Sequence, residues 1–352
     1  MLKQIESIQF KKKDFFLTVD EIERKCLSTP DFSLHVNDIA KRPNDIDINL
    51  SDDDKEFTED SEISQNSSDE FNGSPPEVDD WREMKAKEFF SLLEDRKNIL
   101  GDLYPFEISN NDTLSLDFKN LNEKEWNYKK LYIFLLLCNS MKYFNENIRS
   151  YRNSLAASFE KFCLLLIMRL FPNFSIEGIG TGFKNHGILS GNGAFEKIEC
   201  LASLLNTRLK SFCREEHIRE VTSGDGKLDI VGWFNPIKDK ATHMPLIFLQ
   251  CACSADDEQI FYKNFDYKKT SSKFETIIEN PMTFMLSPLC YRARGGALFD
   301  PSYANGCFFD RIRLMLCLEH LNIDVSSQEF KETLGALPLQ IVNKALHAEQ
   351  TL

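Results

Sequence analysis

The sequence lacks several features that define whole classes of proteins. Its longest apolar runs, residues 131–138 and 163–168, fall far short of the roughly 18 residues of a membrane-spanning helix. No apolar signal core follows the charged N-terminus, which argues against a secretory leader. The ten cysteines include no C-x-x-C pair, so the sequence indicates neither a disulfide framework nor a zinc site. These absences predict a soluble globular protein in a reducing, cytoplasmic compartment.

Common motifs of nucleotide and metal chemistry are also missing. The glycine-rich stretch 178–182 is not followed by the Gly-Lys-Ser/Thr of a P-loop, and we interpret it as a turn. The histidines do not show the spacing of metal ligands. With 352 residues, 42% of them apolar, the chain is still long enough for about two domains and a sizeable core.

Negative charge is concentrated in one segment. Residues 45–80 contain fourteen acidic residues and one lysine, a net charge of −13 that equals the formal net charge of the whole chain. The segment is rich in Ser, Asp and Asn and lacks an apolar period, so we interpret it as a disordered linker. A dedicated acidic docking segment or nucleic-acid mimic is the alternative. Because the remaining chain is balanced in charge, the acidic pI does not exclude a nucleic-acid substrate.

The apolar pattern predicts four regions: a small N-terminal element (1–44), the acidic linker (45–80), a helical region (81–150) and an α/β domain (151–352). We expect a strand pair over 5–19 and a helix over 18–27 with Thr18 as its N-cap. The helical region should contain a helix that ends at Gly101 and a buried helix over 129–144. The apolar face of its first helix consists of Trp81, Met84, Phe89, Leu92, Leu93 and Leu100.

A third predicted helix, over 154–171, places Glu160 among apolar side chains. Two alanines lie one turn before it, and Cys163 and Leu164 lie one turn after it. A carboxylate buried without a partner is costly. Either a cation from elsewhere, such as a metal ion or a lysine, meets Glu160, or Glu160 lies at the helix edge and reaches water.

Residues 224–253 predict a β-hairpin, because two apolar strands flank a polar turn that contains Asn-Pro. The register that centres this turn pairs Val231 with Phe248 and extends to Asp229 opposite Gln250. Facing side chains in such a pair lie close enough for two oxygen atoms to share one ion. The alternative is a core hairpin in which Gln250 satisfies a backbone group and Asp229 caps a turn.

The order of a helical Glu, a strand Asp and a Gln in the next strand resembles the PD-(D/E)xK, or restriction-endonuclease-like, nuclease superfamily over about 154–318. The resemblance implies an α/β fold, with a central mixed sheet flanked by helices. It also implies that Glu160, Asp229 and Gln250 are catalytic and bind Mg²⁺ or Mn²⁺ for cleavage of DNA phosphodiester bonds. The run from Gln250 to Ala252 and the motif Asp-Arg-Ile-Arg-Leu at 310–314 resemble a bacterial subset of such proteins.

The same resemblance implies a role in bacterial restriction or anti-phage defence. DNA would be the main partner, a defence-system protein or a second copy of the chain would be a further one, and no membrane would be involved. The competing hypothesis is a catalytically inactive protein of the same fold. Such a protein would bind DNA or recruit a partner through its N-terminal part.

One position departs from the family pattern. The family places a catalytic lysine two positions after the strand Gln, where this chain has Ala252. In the hairpin register, Lys227 stands opposite Ala252 and on the face of Asp229, so we predict that Lys227 supplies the missing cation. Lys263 is the second candidate.

Four arginines form the predicted phosphate-contacting set: Arg292, Arg294, Arg311 and Arg313. A guanidinium can donate two parallel hydrogen bonds to phosphate oxygens, and the neighbouring glycines at 295 and 296 would let the backbone approach. For each of them, an ordinary surface arginine is the alternative.

Overall fold

A computed structural model of the protein describes residues 15–29, 31–40, 78–117, 123–141, 151–179, 183, 194–211, 228–237, 244–253, 267–275, 281–298, 306–328 and 330–331. Among these residues, no helix is both long enough and apolar enough to cross a membrane. The predicted strands before residue 15 and most of the acidic linker, residues 45–77, lie outside the described ranges.

The described elements form a mixed α/β structure. The helices are α1 (Phe15–Ser28), α2 (Val36–Ala40), α3 (Val78–Leu100), α4 (Glu123–Cys138), α5 (Tyr151–Leu170), α6 (Ala194–Leu204), α7 (Tyr267–Ser271) and α8 (Arg311–His320). The strands are β1 (Ser33–His35), β2 (Phe106–Ser109), β3 (Thr113–Leu116), β4 (Ser175–Gly178), β5 (Ile230–Trp233), β6 (Leu246–Cys251), β7 (Met282–Leu286) and β8 (Cys307–Phe309). The predicted α/β class is confirmed at this level.

A five-stranded mixed sheet forms the centre of the C-terminal half. Its order is β4-β5-β6-β7-β8, antiparallel from β4 to β6 and parallel from β6 to β8. The register of β5 on β6 pairs Val231 with Phe248, as predicted. Every residue of β5 and β6 is buried, because α5 and α6 supply apolar side chains to clusters that include residues of these strands.

The N-terminal helix differs from its prediction. Helix α1 begins at Phe15, so the strand predicted over 5–19 is wrong for its last residues, and Thr18 lies inside the helix. The buried residues Phe16, Val19 and Ile22 recur every three positions, which is a helical spacing that the alternation around the lysines obscured. Strand β1 pairs with β3, and α1 contributes to the same apolar core as α3, α4 and α5.

The helical region follows the predicted pattern with shifted ends. Helix α3 already begins at Val78 and ends at Leu100, where Gly101 has a positive φ of 52°, as its predicted helix-ending role requires. Met84 is 56% exposed, so its predicted place on the buried face is wrong. Helix α4 begins and ends six residues earlier than predicted, because a turn follows Cys138.

Candidate functional site

Asp229 lies at the point where the hairpin ladder ends. The last ladder pair is Ile230 with Leu249, and the amide of Asp229 also donates to the carbonyl of Leu249 at 3.0 Å. The predicted pairing of Asp229 with Gln250 is therefore not part of the ladder. Instead, Oδ2 of Asp229 accepts a 2.6 Å hydrogen bond from the backbone N–H of Cys251. The carboxylate caps an amide at the end of β6, whereas the structural alternative for this residue placed the cap at a turn.

Gln250 presents a buried oxygen atom that has no donor among the described residues. The residue is 5% exposed, and its backbone is held in register with Met285 of β7. Its side-chain Oε1 has no hydrogen-bond partner within the ranges that the structure describes. An unsatisfied buried acceptor costs about 1–3 kcal/mol, so this oxygen is suited to accept a donor or a cation supplied from outside.

Glu160 and Asp229 approach the same pair of thiols. Burial raises the pKa of the Cys251 thiol, contact with Cys163 raises it further, and the charges of Asp229 and Glu160 add to the effect. Burial likewise raises the pKa of Cys163, with smaller contributions from the same two carboxylates. Glu160 and Asp229 therefore both lie within electrostatic range of the residue that follows Gln250.

The chemistry of these donors fits a hard divalent cation. Carboxylate and amide oxygens are the usual ligands of Mg²⁺ and Mn²⁺. The raised pKa values keep the two nearby thiols protonated at neutral pH, so they do not compete as thiolate ligands. Within the described part of the chain, no three His, Cys, Asp or Glu residues are grouped to hold a metal ion. A metal site here would depend on the amide of Gln250.

The position at which the PD-(D/E)xK pattern places its lysine is buried in an apolar environment. Ala252 is fully buried and belongs to an apolar cluster with Phe16 and Met285. An ammonium at this position would lack water and charge partners from that cluster. Lys227 and Lys263, the two predicted replacements, lie outside the described residues, and their roles stay predictions.

A different lysine, Lys197 of α6, lies close to Asp229. It is only 7% exposed, and its Nζ donates to the carbonyl of Ile179 at 2.6 Å. The amide of Ile179 in turn donates to the backbone carbonyl of Asp229 at 2.6 Å. A single residue thus separates the ammonium from the backbone of Asp229. The sequence carried a signal, because Lys197 shares one helix face with the buried Leu201, one turn later.

Arg311 was predicted to contact phosphate, but the structure places it in the core. Its side chain is fully buried, with Nη2 2.7 Å from Asp20 and Nη1 3.2 Å from Glu23, both on α1. A phosphate outside the protein has no access to this guanidinium. The prediction for Arg311 is corrected, because the opposite charges that it pairs with come from the far end of the sequence.

Arg311 belongs to a buried polar network that the sequence did not reveal. Arg96 lies 2.7 Å from Asp20 and 2.9 Å from Glu23. Further hydrogen bonds reach Glu23 from the hydroxyls of Tyr104 and Tyr132 and reach Asp20 from the side-chain amide of Asn139. Burial alone would raise the pKa of Asp20, but Arg311, Arg96 and Arg24 outweigh it and hold the pKa below its ordinary value. The network joins α1 to α3, α4 and α8.

The other three predicted arginines differ in what their side chains contact. Arg292 donates from Nε and Nη2 to the two carboxylate oxygens of Asp310, both at 2.7 Å. Arg313 donates from Nη1 to the carbonyl of Phe308 at 2.6 Å. The side chain of Arg294 is 67% exposed, so its guanidinium can meet a phosphate without breaking a buried contact.

Comparisons of this chain with protein-family models, with curated proteins and with solved structures find no match. Inferences about its activity therefore depend on the residues of this chain.

Proposed function

We propose that this protein is a metal-dependent endonuclease of restriction-endonuclease-like fold that hydrolyses DNA phosphodiester bonds. The observation that carries the proposal is the buried oxygen of Gln250 at the end of β6, which has no donor in the described part of the chain. The backbone amide of the next residue, Cys251, donates to the carboxylate of Asp229. The charge of Glu160 contributes to the raised pKa of the Cys251 thiol. Asp229 and Gln250 thus lie at one end of a buried strand, and Glu160 lies within electrostatic range of the thiol that follows Gln250.

In the proposed site, three side chains share the binding of the metal ion, and a backbone amide orients one of them. Asp229, Glu160 and Gln250 would hold Mg²⁺ or Mn²⁺. The bound ion would polarise the phosphoryl oxygen and lower the pKa of the attacking water. The amide of Cys251 fixes the orientation of the Asp229 carboxylate, and the buried strand excludes bulk water from its inner side.

The buried position of Lys197 favours the enzyme hypothesis over the binding-module hypothesis. The site collects two carboxylates, and a DNA phosphate would bring a further negative charge. A fixed, buried ammonium, separated from the backbone of Asp229 by Ile179, would offset that charge without reorganising during the reaction. Lys197 is a positioning residue in this structure, because its ammonium contacts the backbone that holds Asp229.

The Lys197→Met variant should cleave DNA about 10²-fold more slowly while it still binds DNA, since a fixed charge near reacting groups contributes roughly this factor. Single-turnover cleavage with Mg²⁺ and gel-shift binding with Ca²⁺ separate the two effects. Lys197→Arg should restore part of the rate, which a merely structural loss would not predict.

The matched control for Lys197 is Lys129, another buried lysine, which lies 2.6 Å from Asp117 and far from the site in sequence. Lys129→Met should leave the cleavage rate of the folded protein unchanged. If Lys197→Met cleaves like wild type while Lys227→Ala or Lys263→Ala is inactive, the required cation comes from one of the originally predicted lysines.

The primary test of the proposal uses the purified full chain with supercoiled plasmid, single-stranded DNA and RNA. We expect nicked or linear plasmid with Mg²⁺ or Mn²⁺ and intact plasmid with EDTA. Cleavage of RNA alone would reject the DNA assignment. Intact nucleic acid under every metal condition would reject the enzyme.

The alternative is an inactive protein of the same fold that binds DNA or a partner protein. Two observations favour it: Asp229 already has a structural role as a cap, and the burial of Ala252 closes the expected lysine position. DNA binding without nicking would support this alternative. In either form, we infer a cytoplasmic role in bacterial restriction or anti-phage defence, with a defence-system protein or a second copy of the chain as further partner.

A further inference from the structure

Four cysteines converge at the end of β6. Cys251 is the last residue of β6, and Cys253 follows two positions later. Cys163 comes from α5, and its thiol contacts that of Cys251. Cys138 is the last residue of α4, and its thiol contacts that of Cys253. The four residues therefore form two thiol pairs that link the sheet to two helices.

The pair of Cys138 and Cys253 combines a buried thiol with a more accessible one. Cys138 is fully buried, whereas Cys253 is partly exposed. The Sγ of Cys253 donates to the backbone carbonyl of Cys138 at 3.3 Å. The Sγ of Cys138 lies 3.9 Å from the carbonyl of Leu155, to which it donates, and Cys253 contributes to the raised pKa of the Cys138 thiol. The Cys253 sulfur thus lies against the backbone of Cys138, and a disulfide bond requires the two sulfurs to approach to roughly 2.05 Å.

We propose that Cys138 and Cys253 form a reversible disulfide when the protein meets a peroxide. In the first step, the Cys253 thiol is oxidised to a sulfenic acid, and hydrogen peroxide is reduced to water. In the second step, the Cys138 sulfur attacks the sulfenic sulfur, the S–S bond forms and the hydroxyl leaves as water with the Cys138 proton. An external dithiol reverses the reaction by reducing the bond. This inference does not depend on nuclease activity.

The second step should set the rate and its pH dependence. Burial raises the pKa of the Cys138 thiol, and Cys253 and Cys163 raise it further, while Arg311 acts in the opposite direction. The thiolate is the attacking form, and it is scarce at neutral pH because the net shift is upward. At pH values below that pKa, the rate of disulfide formation should therefore rise about tenfold for each unit by which the pH increases.

The bond would hold the segment after Gln250 against α4. It would close a loop between positions 115 residues apart. A cross-link over a long loop restricts the unfolded chain, so the oxidised protein should melt at a higher temperature than the reduced protein if the bond forms without strain.

The test treats the full chain with hydrogen peroxide, blocks the remaining thiols and maps disulfides by mass spectrometry at several pH values. We expect one cross-linked peptide that joins Cys138 to Cys253, appears faster at higher pH and disappears with dithiothreitol. Cys253→Ser should abolish it. Cys307→Ser should leave it unchanged, because Cys307 is exposed and its charge affects Cys317 instead.

Three results would overturn the inference. A cross-link between Cys307 and Cys317, or between Cys163 and Cys251, would place the reactive pair elsewhere. Oxidation of Cys253 only to the sulfinic acid would show that Cys138 does not reach it. Because Cys253 is partly exposed, its serine variant should fold, and far-UV circular dichroism checks this.

Discussion

Arg311→Met should lower the free energy of unfolding by about 3–5 kcal/mol, the usual cost of removing one partner from a buried ion pair. The substitution leaves Asp20 and Glu23 fully buried, with Arg96 still 2.7 Å from Asp20 and 2.9 Å from Glu23. It also removes a cation stacked 5.0 Å from the ring centroid of Tyr132. Urea denaturation followed by circular dichroism measures the loss.

Two controls separate lost charge pairing from lost side-chain volume. Arg294→Met, at an exposed arginine 3.9 Å from Glu88, should change stability by less than about 0.5 kcal/mol. Adding Asp20→Asn to Arg311→Met should cost less than the two single changes together, because the uncompensated carboxylate is then gone. Equal stability of Arg311→Met and wild type would show that the network makes no net contribution.

The pH dependence of the wild type follows from the same network. The pKa of Asp20 is lower in the folded protein than its ordinary value of 3.8. Its contribution to stability is therefore present above the ordinary pKa and is lost as the pH falls through the folded pKa. In acid, the stability difference between wild type and Arg311→Met should shrink.

The hairpin was predictable because its information is local. Two apolar strands and a polar turn fix which residues face one another, and a shift of one residue would move the side chains to opposite faces. The pairs Trp233 with Leu246 and Val231 with Phe248 follow from this pattern. The helices α3 and α5 were predictable for the same reason, since their apolar periods extend over several turns.

The buried network was not predictable, because its members are brought together only by the tertiary fold. Asp20 and Arg311 lie 291 positions apart, and Arg96 lies between them on another helix. A sequence pattern shows which charged residues lie near apolar ones. It does not show which oppositely charged residue becomes their neighbour in the folded protein. Arg311 therefore resembled a surface arginine.

The candidate site was predictable in its residues but not in its geometry. The sequence singled out Asp229 and Gln250 as polar groups in buried strands. The point at which a ladder ends depends on the backbone of both strands. Asp229 lies just before the start of β5, and its side chain accepts the hydrogen bond from the amide of Cys251. Lys197 was missed because a lysine in a short helix is ordinarily exposed, and its burial depends on how α6 packs on the sheet.

Asp229→Asn should reduce DNA cleavage about 10³-fold and leave the fold intact. An asparagine keeps a side-chain oxygen that can accept the amide of Cys251, so the cap at the end of β6 is preserved. It removes the negative charge that a metal ligand needs, and such a loss is worth several kcal/mol of barrier. Asparagine tests the proposal better than alanine, because alanine would also leave a buried N–H without an acceptor.

Cleavage of plasmid by Asp229→Asn should be compared with its melting temperature and DNA binding. Asp95→Asn is the matched control, since Asp95 also accepts a backbone amide, that of Gly295 at 2.8 Å, but lies on α3. Asp95→Asn should cleave like wild type. If Asp229→Asn cleaves normally but melts much earlier than wild type, the carboxylate serves only as a cap. Full cleavage with unchanged stability would also remove Asp229 from the site, because neither charge nor hydrogen bonding at this position would then matter.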